Sequence, residues 1–202
     1  SIFFNVALKD IKRAADLFKP VHTKSNGRDG FVSLEVSPHL AYDTEGTIKQ
    51  AAELWKAVDR RNVMIKIPAT KEGLPAIRKC ISEGININIT LLFGLQRYND
   101  VVDAYLSGLE DRVKENKPIG HIASVASFFL SRIDAMIDPQ LNNGLASLKG
   151  ETAIASAKKA YEIYQEVFSS ERFKKLASEN AKRQRLLWAS TSTKDATFSD
   201  VK

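Results

Sequence analysis

Four residues in three short segments of the chain could together carry out amine chemistry on a carbonyl compound. They are Glu35, Lys66, Asn88 and Thr90, and each segment alternates branched apolar residues with these polar ones. Such alternation is typical of β-strands, so a carboxylate, an amine, an amide and a hydroxyl would lie on the polar faces of neighbouring strands. A lysine attacks a carbonyl only as the free amine, so its ordinary pKa of about 10.4 must fall by roughly three units for reaction near neutral pH.

The environment of Lys66 separates two interpretations. If its face of the strand lines a barrel interior or a sheet crevice, desolvation can supply a pKa shift of that size, and Lys66 is a candidate for Schiff-base formation. Inside a barrel, the alternative is a structural ion pair between Lys66 and Glu35. On a solvent-facing strand, Lys66 is an ordinary charged residue that discourages pairing with another strand. Glu35 is a general acid and base if Lys66 forms a Schiff base, and a structural partner if the two residues form an ion pair. Asn88 and Thr90, taken singly, would be structural hydrogen-bonding groups. Their register beside Lys66 makes them candidate site residues.

The segments that must position these residues alternate between strand and helix patterns. A threonine hydroxyl within residues 44–47 is expected to cap the second helix by accepting from its first amides. Strands are predicted at residues 31–37, 63–70, 85–90, 121–129 and 185–190. Helices are predicted at residues 6–21, 44–58, 74–82, 96–109 and 131–137, with two more within 152–180.

This alternation predicts an α/β protein built from βα units around a parallel sheet. Strands of an open doubly wound sheet are buried on both faces and are therefore apolar throughout. Three of the predicted strands keep one polar face, which favours a closed barrel with a site inside it over an open three-layer sheet. A length of 202 residues suits one domain, which we predict to span residues 1–202.

Composition excludes several classes of function. The net charge is +6, but the excess lies largely in residues 158–185, where basic residues mix with glutamates. This mixture is typical of solvated helix faces rather than of a nucleic-acid surface, and it is compatible with a small anionic substrate. No apolar run approaches the roughly 18 residues of a membrane span, and no signal peptide is recognisable, so we expect no membrane contact and a cytoplasmic location.

Metal and disulfide chemistry are not expected. Cys80 is the single cysteine, which excludes an internal disulfide and a cysteine-rich metal site. The three histidines, His22, His39 and His121, lack the spacing of metal ligands. We therefore predict neither a metal nor a cofactor, and the sequence leaves a homo-oligomer open.

Five segments of the chain resemble the signature segments of transaldolase, in the order of that family and over essentially the whole chain. They are residues 31–38, 64–70, 84–93, 123–129 and 187–191. The resemblance is to bacterial-type transaldolases, and it implies a (β/α)8 TIM barrel of the class I aldolase group. It also implies sugar phosphate substrates: a dihydroxyacetone unit passes from sedoheptulose 7-phosphate or fructose 6-phosphate to an aldose phosphate, in the pentose phosphate pathway.

The resemblance also implies roles for the residues already singled out. Lys66 would form the Schiff base with the C2 ketone of the ketose phosphate. Glu35 and Thr90 would hold the water that shuttles protons during iminium formation. Asn88 and Ser127 would bind the hydroxyls of the dihydroxyacetone unit.

A second group of residues would bind the remainder of the substrate. The resemblance implies Arg132 as the phosphate-binding arginine, although its position alone favours an ordinary charge on a helix surface. Ser190 and Lys194 would supply the remaining phosphate contacts, and an arginine stands at the place of Lys194 in related subgroups. Phe129 is the last substrate-binding residue that we predict.

The chain departs from the family in its number of strands. A barrel of this class takes roughly 250 residues and eight strands, whereas about five strands can be placed here. They match the third to seventh, and the first two strands, with the family's aspartate for the C4 hydroxyl, and the eighth are absent. We therefore expect the central portion of a barrel, as a fragment, an incomplete record or one part of an assembly, with weak or no activity. The alternatives are a fructose-6-phosphate-type aldolase and a non-catalytic barrel remnant or scaffold.

Overall fold

The computed structural model describes residues 2–142 and 144–196, with side chains from residue 6 onward. Its helices are α1 Ile2–Lys24, α2 Thr44–Val58, α3 Gly73–Ser82, α4 Leu95–Lys114, α5 Ser131–Ile137, α6 Thr152–Val167 and α7 Glu171–Ser178. Its strands are β1 Val32–Glu35, β2 Val63–Pro68, β3 Ile87–Leu92, β4 Ser124–Phe129 and β5 Arg185–Ala189. Every predicted strand and helix is therefore present in the described residues, with shifts only at the ends.

The strands form one parallel sheet in the order β1-β2-β3-β4-β5. Each strand is added beside its predecessor, with Val32 opposite Val63 and Ile65 opposite Ile87. A doubly wound sheet reverses its strand order at a switch point, whereas a TIM barrel adds βα units in one direction. The fold is thus α/β and of the partial TIM-barrel type, as predicted. Within the described residues, β1 and β5 each pair with a single strand.

The hydrophobic core lies between one face of the sheet and the helices. Ile65, Ile67, Ile87 and Ile89 are completely buried there, in one cluster with residues of α2, α3 and α4 such as Tyr105. Complete burial of one such side chain contributes roughly 1.5–3 kcal/mol before entropy is counted. Because side chains of a strand alternate between faces, burying the isoleucines turns Lys66 and Asn88 to the opposite face, which we call the inner face.

The start of α2 corrects the prediction of a threonine cap. Asp43 is the N-cap, and its carboxylate accepts from the Gly46 amide at 2.9 Å. The Thr44 hydroxyl instead donates to the Glu72 carbonyl, and the Thr47 hydroxyl to the Leu40 carbonyl. The prediction was wrong because both hydroxyls serve as donors to other segments of the fold.

Buried amides tie the amino ends of the strands together. The Asn62 side chain donates to the carbonyls of Ala15 and Gly30, at 2.7 and 3.0 Å. Asn86 donates to the Val63 carbonyl and accepts from the Ala123 amide at 2.9 Å. Because a buried amide without partners costs roughly 1–3 kcal/mol, these bonds favour one strand register over its neighbours.

The described part of the chain contains neither a membrane-spanning helix nor a cluster of metal-binding side chains. None of its helices combines the length and the hydropathy needed to cross a membrane. In the same residues, histidine, cysteine and acidic side chains form no cluster of three suited to a metal ion.

Candidate active site

Lys66 and Glu35 form an ion pair on the inner face of the sheet. Their Cα atoms are register partners between β2 and β1, and Lys66 Nζ lies 3.2 Å from Glu35 Oε2. The side chains are 28% and 45% exposed, so the pair is accessible from solvent. An accessible ion pair of this kind contributes about 0–1 kcal/mol to stability. An incoming polar ligand could therefore separate the two groups at low cost.

The amide of Asn88 lies next to Lys66 and is held at both ends. Lys66 and Asn88 are register partners between β2 and β3. Asn88 Oδ1 accepts from the Ser127 hydroxyl at 2.7 Å, and Asn88 Nδ2 donates to the Ser33 hydroxyl at 3.0 Å. Asn88 and Ser127 are 7% and 3% exposed. The fold thus brings these two predicted residues together and adds Ser33, which the sequence analysis missed although it lies two residues before Glu35 on the same face.

Thr90 lies near the carboxyl end of β3, two residues beyond Asn88. It is buried, its Cα partner is Pro68, and its carbonyl accepts from the Ala69 amide at 2.8 Å. The next residue, Leu91, has φ 54, and the pairing with β4 shifts register between Ile89 and Leu92. Such an irregularity at the end of a strand changes the direction of nearby side chains and is common beside functional sites.

The predicted phosphate contacts cluster only in part. The guanidinium of Arg132 lies 5.5 Å from the centre of the Phe129 ring. Ser190 Oγ lies 3.0 Å from Ser131 Oγ, and the Ser190 carbonyl accepts from the Ser131 amide at 2.9 Å. Ser190 therefore contacts Ser131, the first residue of α5, which directly precedes Arg132.

Lys194 lies on the segment after β5, four residues beyond Ser190. Its amine donates to the Ser192 hydroxyl at 2.8 Å. It also lines a cavity of about 720 Å³ between α5, the turn before α6 and the segment after β5. Of the nine predicted site residues, Lys194 is the one that lines this cavity. Asp134 lies in the same wall, and burial raises the pKa of its carboxyl even though the Ala153 amide donates to it.

The geometry defines a class of protein. Successive βα units, added in one direction, place a lysine, a carboxylate and an anchored amide side by side on the inner face of a parallel sheet. Glu35 is the last residue of its strand, at the end where the functional groups of TIM barrels collect. The fold is that of a partial TIM barrel of the aldolase type.

Comparison with known proteins gives the family. The model described as "Transaldolase/Fructose-6-phosphate aldolase" matches residues 1–202, and the chain belongs to this family. The family resemblance stated from the sequence is thereby confirmed.

Curated relatives agree in name. The chain is 54% identical over 196 residues to "Transaldolase" of Saccharopolyspora erythraea, covering 96% of this chain and 53% of that protein. It is 48% identical over 213 residues to "Transaldolase 2" of Nostoc sp., covering 99% and 56%. It is 52% identical over 196 residues to "Transaldolase 1" of Streptomyces avermitilis, covering 95% and 52%. The chain spans about half the length of these curated relatives.

Proposed function

We propose that Lys66 is the Schiff-base lysine of a transaldolase reaction. Glu35 takes a proton from the Lys66 ammonium group, and the free amine adds to the C2 ketone of a ketose phosphate. Return of that proton to the departing hydroxyl lets water leave, and a protonated imine remains. The protonated imine accepts the electron pair of the C3–C4 bond as that bond breaks, the C4 hydroxyl loses its proton to a base, and an aldose leaves. The remaining dihydroxyacetone unit adds to the aldehyde of a second aldose phosphate, and hydrolysis restores the lysine. The observation that carries this proposal is the register that places Lys66 between Glu35 and Asn88 on the inner face, in a chain that matches the family throughout.

Glu35 is proposed as the acid and base of imine formation. Addition of the amine requires proton transfer from its nitrogen, and loss of water requires proton transfer to the departing hydroxyl oxygen. A carboxylate 3.2 Å from Nζ is within reach of the nitrogen protons. Thr90 would help Glu35 to hold the water that carries them. The buried position of Thr90 near the same end of the sheet supports this assignment.

Asn88 and Ser127 are proposed to bind the hydroxyls of the dihydroxyacetone unit. Both are buried, and they are already hydrogen-bonded to each other, so little ordering remains to be done when a substrate binds. An amide and a hydroxyl each retain further hydrogen-bonding capacity beyond that one bond. The register of Asn88 beside Lys66 places this capacity near the reacting amine.

Arg132, Ser190 and Lys194 are proposed to bind the phosphate end of the substrate, and Phe129 is proposed as a further substrate-binding residue. The guanidinium of Arg132 is exposed, and the ring of Phe129 limits its freedom. A guanidinium can bind a phosphate through two parallel hydrogen bonds. Such remote binding energy would hold the carbonyl over Lys66. Lys194 donates one hydrogen bond to Ser192, and its ammonium group keeps further N–H donors for a phosphate.

Imine formation can be tested by trapping with borohydride. Imine formation needs only Lys66 and its neighbours, whereas the resemblance assigns the base for the C4 hydroxyl to a strand outside the five described here. We therefore expect little turnover by the 202-residue chain but slow accumulation of a reduced adduct with fructose 6-phosphate. Peptide mass spectrometry should locate the adduct at Lys66.

Two variants make this test specific. Lys66→Arg should abolish the adduct while leaving the circular dichroism spectrum unchanged. Lys79→Arg is the matched control, because Lys79 also pairs with a glutamate, Glu83, but on the surface of α3; this variant should label like the parent. A well-folded parent chain without an adduct would instead support a barrel remnant that acts as a scaffold. Full-rate transfer to erythrose 4-phosphate would contradict the expected low turnover.

A fructose-6-phosphate-type aldolase is the second candidate, since the matched family includes both activities. That enzyme would use the same lysine but release free dihydroxyacetone. Product formation that requires an aldose phosphate acceptor favours the transaldolase, and release without an acceptor favours the aldolase. We further propose that the reaction belongs to the pentose phosphate pathway, in the cytoplasm.

A further inference from the structure

We propose that Ser33 is a positioning residue that holds the side-chain amide of Asn88 in the orientation needed to bind the substrate. This inference rests on the proposed function, because it concerns the binding of the dihydroxyacetone unit. It adds a residue on a third strand to the two that the family resemblance implies. Ser33 acts through Asn88 and is not proposed to react.

The geometry around Asn88 supports an anchoring role. Ser127 donates to Oδ1 at 2.7 Å and Ser33 accepts from Nδ2 at 3.0 Å, so both ends of the planar amide are engaged. Removal of one anchor would leave the amide free to rotate about its last torsion angle, which has a broad energy minimum. With both anchors present, one N–H and one lone pair of Asn88 remain for a ligand, in fixed directions.

The position of the Ser33 bond argues against a purely structural role. Ser33 lies on β1 and Asn88 on β3, so the bond passes over the inner face of β2, the strand that carries Lys66. The backbone ladders already join β1 to β2 and β2 to β3. The sheet therefore does not need this bond for strand pairing. An Asn88 amide that must present its N–H beside Lys66 does need it, because the bond fixes the orientation of that amide.

The test compares Ser33→Val with Ser33→Thr, which have nearly the same shape and differ in the hydroxyl. The readout is the fructose 6-phosphate concentration that gives the half-maximal rate of borohydride-trapped adduct at Lys66. Loss of one hydrogen bond to a binding group predicts about a tenfold increase for Ser33→Val. Ser33→Thr should stay within about twofold of the parent, because its hydroxyl can still accept from Asn88. Ser33→Ala replaces the valine variant if that variant does not fold.

A double-mutant cycle separates positioning from general stability. In the Asn88→Ala background, Ser33→Val should cause no further increase, because the group that it positions is gone. Equal effects of Ser33→Val and Ser33→Thr, or an effect of Ser33→Val that persists in the Asn88→Ala background, would overturn the proposal.

An NMR measurement distinguishes failure of this inference from failure of the proposed function. Hydrogen exchange of the Asn88 side-chain amide should be faster in Ser33→Val than in the parent and in Ser33→Thr. Unchanged exchange overturns the anchor. If exchange is faster in Ser33→Val than in the parent, but the parent forms no adduct, the anchor is retained. Both the Schiff-base function and the positioning role are then overturned.

Discussion

Glu35 and Lys66 face each other directly across β1 and β2, and their charged atoms are 3.2 Å apart. A slip of one residue in either strand would turn one of the two side chains to the helix-covered face, because side chains alternate along a strand. The register is held by Val63, Ile65 and Ile67, which are completely buried on that opposite face. Packing of the core therefore determines where the candidate nucleophile points.

Replacement of Glu35 should slow imine formation without unfolding the protein. Glu35→Gln keeps the shape of the side chain but removes its ability to take a proton, so we expect adduct formation at Lys66 to slow by about 10²-fold or more. The measurement is the rate of borohydride-trapped adduct with fructose 6-phosphate. Glu83→Gln disrupts the comparable pair with Lys79 on α3 and should leave the rate unchanged. A rate that is insensitive to Glu35→Gln would assign Glu35 a structural role only.

The contact between α7 and α4 should make stability depend on pH. Arg172 bonds to Glu110 through two nitrogen atoms, at 2.6 and 2.9 Å, and the hydrogen bond lowers the pKa of the Glu110 carboxyl. A lowered folded-state pKa stabilises the protein above the unfolded pKa of about 4.3, and this stabilisation is lost as the pH falls through the folded value. Arg172→Gln should therefore destabilise the protein at about pH 7 but much less at about pH 3. Urea unfolding at both pH values measures this difference, and an equal loss at both would contradict the assignment.

The isoleucines on the helix-covered face of the sheet should contribute strongly to the stability of the protein. Ile87 is completely buried, so Ile87→Ala removes apolar contacts and leaves a cavity, at a cost of about 2–5 kcal/mol in the free energy of unfolding. Leu17→Ala is the control, since this α1 side chain is 72% exposed and the change should stay within about 0.5 kcal/mol. Chemical denaturation monitored by circular dichroism measures both. A loss at Ile87 as small as that at Leu17 would mean that the core is not packed as described.

The thiol of Cys80 should be inert in the folded protein. Cys80 is 1% exposed, and burial raises the pKa of its thiol to about 12, which suppresses the reactive thiolate. We expect no reaction with an aromatic disulfide reagent at about pH 8 until denaturant is added, and then one thiol per chain. Fast reaction of the native protein would instead show that α3 opens readily.

The sequence predicted the elements well because their signals are local. The alternation of isoleucines with polar residues in β2 and β3, and the apolar spacing in α4, appear within single segments. The cap of α2 was mispredicted because Thr44 finds its partner at Glu72, 28 residues away. Capping depends on such distant partners as well as on residue type.

By itself, the sequence determined the order of the βα units, the polar inner faces, and a family resemblance that comparison confirmed. The tertiary structure decided which side chains meet. Lys66 lies 31 residues from Glu35 and Asn88 lies 55 residues from Ser33, so no local pattern reveals either contact. It likewise joined Ser190 to Ser131 and placed Lys194 at a cavity that Ser131 also lines. The physical reason is that periodicity assigns a residue to a face, whereas the parallel register and the packing of the core determine its neighbours on that face.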